Sequence, residues 1–144
     1  MHATRWMCLC LFVVAGIATS FAQSTAPAAT PATQAARPGD IGQSWQINFD
    51  RTAKSDGEIT FRLWPYGGEP IDLVLPVAKG DTENKLARET RDLLRAKLDL
   101  TEYRIDMAKR FVKVTAIRGE RRFALELASS TAEGVDIDLY REGR

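Results

Sequence analysis

The sequence predicts an α+β domain with the element order βββαββββ, one helix packed on a twisted, mainly antiparallel sheet. Apolar and polar residues alternate in seven short segments, the period of half-buried strands. A single stretch instead carries its apolar residues at helical spacing. Gly, Pro and Asp-Gly signals punctuate the intervals between them.

In the first segment Trp45, Ile47 and Phe49 alternate with Gln46, Asn48 and Asp50. Asp56-Gly57 marks a turn, after which Ile59, Phe61 and Leu63 form the inward set of a second strand. Pro65-Tyr66-Gly67-Gly68-Glu69-Pro70 is a loop. Ile71, Leu73, Leu75 and Val77 make a third inward set, with Val74 on the opposite face. Pro76 lacks an N–H for the ladder and so confines this strand to an edge or ends it early.

The helix is expected from about Thr82 to Leu98, with Asp81 as N-cap, its carboxylate taking the free N–H groups of the first turn. Leu86, Ala87, Thr90, Leu93, Leu94 and Leu98 fall on one stripe. Lys85 with Glu89, and Arg88 with Asp92, are spaced for i,i+4 pairs. Alternation then returns through Tyr103–Ile105–Met107, Val112–Val114–Ala116, Phe123–Leu125–Leu127 and Val135–Ile137–Leu139. The short links predict hairpins, with these last strands antiparallel.

The ordered domain occupies residues 41–144 in this reading. Residues 1–22 have the form of a cleavable signal peptide. Arg5 supplies the positive start, Trp6 to Ala18 an uncharged apolar run, and Ser20-Phe21-Ala22 the small residues read by a peptidase. Residues 23–40 form an Ala/Thr/Pro-rich linker, expected to be disordered because it offers nothing large and apolar to bury. Removing residues 1–22 takes one of the 20 Lys and Arg and none of the 19 Asp and Glu, leaving a neutral chain. Such a chain has no field for nucleic acid or anionic lipid, and no nucleic-acid partner is expected.

Cys8, Cys10 and His2 all lie within residues 1–22, so the cleaved chain holds neither Cys nor His. That excludes a disulfide, a thiolate nucleophile, a Ser–His–Asp triad and a zinc site built on Cys or His. The lack of disulfides suits a periplasmic or secreted bacterial protein. No phosphate loop is present, and no cofactor or metal is expected.

The candidate binding residues form two groups. Trp64, Tyr66, Gly67 and Gly68 cluster at one loop; Trp64 points away from the inward set of its strand, and an aromatic pair beside glycines suits protein contacts or sugar stacking. The alternative places Trp64 under the linker or the first strand. Arg88, Arg91 and Arg95 share a helical face and could hold an anionic partner, although Glu89 and Asp92 dilute their charge. Asp106, Asp136 and Asp138 are the carboxylates that acid–base chemistry would need in one cleft; the favoured reading is a solvated sheet face, which needs such outward charge alternation.

The run of a strand, Gly80-Asp81-Thr82, a helix containing Lys85-Leu86-Ala87-Arg88-Glu89, and a hairpin resembles a module of phage tail and related secreted structural proteins over about 40 residues. The resemblance implies a structural role. The expectation is an exported, non-enzymatic module of the bacterial cell envelope whose partner is another envelope or secreted protein. A glycan or small-ligand module, an inhibitor of a secreted enzyme acting through the Pro65–Pro70 loop, and an Asp/Glu-based hydrolase are the alternatives.

Overall fold

The computed structural model describes residues 39–119 and 121–142. The expected signal peptide and nearly all of the expected linker therefore lie outside the described residues. Seven strands and one helix follow in the expected order: β1 (Ser44–Asp50), β2 (Gly57–Trp64), β3 (Ile71–Val77), α1 (Glu83–Lys97), β4 (Tyr103–Ala108), β5 (Phe111–Ala116), β6 (Ala124–Ser130) and β7 (Asp136–Glu142).

All strand pairs are antiparallel, but the strands divide between two sheets, β4-β5-β1-β7 and β3-β2-β6. A helix about 10 Å wide covers roughly two strands spaced about 4.8 Å apart. A single seven-stranded sheet would leave most of its apolar face open. Two sheets solve this by burying each other, and α1 packs on β1, β4 and β5 beside β3. Phe49 of β1 meets Phe61 of β2 edge to face, with ring centroids 6.2 Å apart. Ile47, Ile59, Leu63, Leu73, Val112 and Val114 are fully enclosed around them.

The inward sets read from alternation match the core in β1 to β5, except that Ile71 and Met107 are only half-buried. β7 is only half-buried at Ile137 and Leu139, and Leu127 of β6 is exposed. The expected run of hairpins after the helix holds only for β4–β5. β6 leaves the sheet of β5 to pair with β2, and β7 returns to pair with β1. Short links permit this because the two sheets face each other, so a few residues carry the chain across the core instead of back along it.

Helix capping also differs from expectation. Thr82 is the N-cap, its Oγ1 accepting the Lys85 N–H at 3.4 Å. Asp81 lies one residue too early and instead accepts the Ala78 N–H at 3.0 Å. Beyond the helix, Asp99 accepts the N–H and hydroxyl of Thr101, both at 2.8 Å, turning the chain into β4. No helix among the described residues is long and apolar enough to cross a membrane.

Candidate functional site

β3 is an edge strand, bonded to β2 on one side only. Pro76 sits within it, as its missing N–H demands. Alternation turns Leu73, Leu75 and Val77 into the core and leaves Val74 45% exposed. On the open side, β3 and α1 border a groove of about 480 Å³. Val74, Pro76, Val77 and Leu93 give it apolar walls. Asp81, Lys85, Glu89 and Asp92 form its charged rim, with three acids against one base.

Spacing along the helix produces that rim. Lys85, Glu89 and Asp92 recur at i, i+4 and i+7, on the flank of the stripe that buries Leu86, Ala87, Thr90 and Leu94. Lys85 bridges Asp81 at 2.6 Å and Glu89 at 3.6 Å. The Lys85 ammonium and the Ala78 N–H hold the buried Asp81 carboxyl below the usual carboxylate range, and the Asp81 carboxylate, with Glu89 beside it, raises the Lys85 ammonium. Asp92 pairs with Arg91 at 2.7 Å, and the expected pairing of Arg88 with Asp92 does not form among the described residues.

The sequence-predicted loop separates into a buried and an exposed part. Trp64 is only 4% exposed, with the Arg62 guanidinium 6.0 Å from its ring centre. It therefore offers no surface for a partner, which corrects the expectation of an exposed Trp–Tyr pair. Tyr66 is 61% exposed at the tip. Gly67 takes a φ of +67°, and the Gly68 N–H reaches the Pro65 carbonyl at 3.4 Å, so both glycines serve the turn.

The three helix arginines do not act as one patch. Arg88 is exposed, Arg91 is tied to Asp92, and Arg95 donates to the Ile105 carbonyl at 3.4 Å. The carboxylates are likewise dispersed. Asp106 lies on edge strand β4 beside Arg104 at 2.9 Å, and Asp136 lies on the opposite edge strand, β7, beside Arg51 at 3.1 Å. Three strand spacings, about 14 Å, part those edges, and all three aspartates are exposed. Asp106 is therefore apart from the other two, and Asp136 and Asp138 share an exposed face of β7, so the support for a paired-carboxylate hydrolase is removed. Among the described residues no cluster of three or more His, Cys, Asp or Glu could hold a metal ion.

A second concavity escaped the sequence reading. Gln46 and Asn48 of β1, Phe111 of β5 and Tyr140 of β7 line a polar pocket of about 680 Å³ with Glu83, Asn84 and the β4–β5 turn. Gln46 and Asn48 were legible as the outward set of β1. Their neighbours were not, because β1 pairs with strands far away in the chain. Uncharged amides on an outward face, where charges would serve solubility, were the available signal.

No family model matches this chain, and no curated protein matches its sequence.

Proposed function

We propose that this chain is an exported, non-enzymatic module of the bacterial cell envelope that binds another protein along the free edge of β3. The observation that supports this reading is the groove itself. An open strand edge offers backbone hydrogen bonds to an extended segment, and Val74, Pro76 and Leu93 offer apolar contact beside it. The acidic excess of the rim favours a segment that carries Lys or Arg. Its occupant is thus an extended, basic and apolar segment of an envelope or secreted protein, added as a further strand. The likeness of the strand–Gly80-Asp81-Thr82–helix–hairpin run to phage tail modules points to the same structural role.

Crosslinking in intact cells tests the proposal, with a photoreactive residue at position 74 and, separately, at position 66. The expected result is one dominant adduct from position 74, mapped to an extended basic segment of an envelope protein and lost with Glu89→Lys plus Asp92→Lys. Absence of a protein adduct from position 74 in folded, abundant protein overturns the proposal. Adducts from position 66 alone overturn it too, and assign binding to the Tyr66 loop.

A further inference from the structure

The outer face of the four-stranded sheet carries chemistry that the β3 groove does not use. Gln46 and Asn48 alternate with the core residues Trp45, Ile47 and Phe49, so both amides face away from the core. Pairing places Gln46 between Lys113 and Tyr140, and Asn48 between Phe111 and Asp138. Directly paired side chains on one face lie about 5 Å apart. The amides and aromatic rings therefore form a contiguous surface on regular strands, held by the ladder and not by a loop. The side chains of Gln46, Asn48 and Tyr140 make no hydrogen bond to another described residue. Tyr140 is 52% exposed.

The charges around this pocket nearly cancel. Arg110 is held by Asp50 at 3.0 Å, Lys109 and Glu83 on the rim are opposite in sign, and Asp138 beside Asn48 adds one exposed carboxylate. Nothing in that balance selects an anionic or a cationic ligand. The chemistry left is planar amides, each with a donor and an acceptor side by side, next to aromatic faces. Vicinal hydroxyls satisfy the amides, and the C–H face of a sugar ring satisfies an aromatic ring. The volume, about 680 Å³, lies within the range of sites for small ligands.

The turn that closes one end of the pocket adds a second observation. Lys109 holds a φ of +50°, a conformation that costs an L-residue roughly 1 kcal/mol and that Gly or Asn adopts more cheaply. A lysine occupies that position, at the rim, where its ammonium can donate to a ligand.

We propose that this face binds a neutral glycan. Tyr140 and Phe111 stack on sugar rings, Gln46 and Asn48 bridge their hydroxyls, and Lys109 donates at the rim. This site lies on a different face from the β3 groove, and neither proposal depends on the other.

Amide-resolved NMR titration of the isotope-labelled protein with chitotetraose and with cellotetraose tests it. At least one probe, at up to about 10 mM, should shift signals of Gln46, Asn48, Phe111 and Tyr140 and leave those of β3 unmoved. Tyr140→Ala should weaken that binding about tenfold, and Tyr140→Phe should retain it, because stacking needs the ring and not the hydroxyl. Tyr140 is half-exposed, so neither change should unfold the domain, and an unchanged spectrum of the core signals checks this. No shift with either probe, shifts confined to other faces, or undiminished binding by Tyr140→Ala overturns the proposal. So does a protein crosslink from position 140 without any glycan shift, which assigns the face to a protein.

Discussion

The Asp81 carboxylate lies 2.6 Å from the Lys85 ammonium, one helical turn away, and at the same time accepts the Ala78 N–H at 3.0 Å. One side chain thus ties the end of β3 to the first turn of α1. These contacts lower the folded-state pKa of Asp81 below its unfolded value of about 3.9. The stability they give is therefore present above that value and is lost as pH falls through the lower folded value. Asp81→Asn should cost about 1 to 2 kcal/mol at neutral pH. It should also flatten the fall in stability below about pH 4 by one carboxylate's share, leaving those of Asp72 and Asp99, which are lowered too. Urea denaturation at a series of pH values measures both effects.

Gly57 should be intolerant of any side chain. A Cβ there would come within 2.6 Å of the Ala132 nitrogen and 2.8 Å of its Cα, both backbone atoms. The contact is locked on each side: Thr131 Oγ1 accepts the Glu58 N–H at 2.8 Å, and the Thr131 N–H donates to the Glu58 carbonyl at 2.9 Å. Gly57→Ala should destabilise by about 2 to 4 kcal/mol. Gly67→Ala meets open space but a φ of +67°, and should cost only about 1 kcal/mol. Thermal unfolding of the two variants separates a steric cost from a conformational one.

The same glycine shows what was legible in the sequence. Asp56-Gly57 reads as a turn, but Gly57 is the first residue of β2, and the need for Gly comes from a segment 75 residues later that crosses between the sheets. Local patterns carried the elements, the inward sets of β1 to β5 and the edge position of β3, because alternation and Pro76 act within a strand. Sheet partnership was not local. β1 pairs with β5 and β7, so nothing near Gln46 announces Tyr140 beside it. The β3 groove was half legible: Val74 reads as outward, but only the packing of α1 beside β3 supplies the opposite wall. Trp64 reads as outward by parity and is nevertheless buried, outside the main core cluster.

Lys109 should be replaceable with profit to stability. Its φ of +50° lies where asparagine's short side chain is tolerated at lower cost. Lys109→Asn should therefore stabilise the domain by about 0.5 to 1 kcal/mol. Denaturant midpoints of the two proteins measure the difference, and an equal midpoint would show that the turn has relaxed.

Thr90 offers the clearest single-site gain. It lies mid-helix, 1% exposed, on the stripe that faces the core, and its Oγ1 is a buried oxygen without a hydrogen-bond partner among the described residues. A hydroxyl in that position gave up its water and received nothing in return. Valine has the same β-branched shape, so the helix loses no backbone preference and the core keeps its volume. Thr90→Val should stabilise by about 1 kcal/mol, which for a domain of this size raises Tm by roughly 4 to 8 °C. Thr90→Ala separates the two contributions, since it also removes the hydroxyl but leaves a void where the methyl group packed. Calorimetry should rank valine above threonine and alanine below valine; threonine equal to or above valine would mean that the hydroxyl is satisfied in solution.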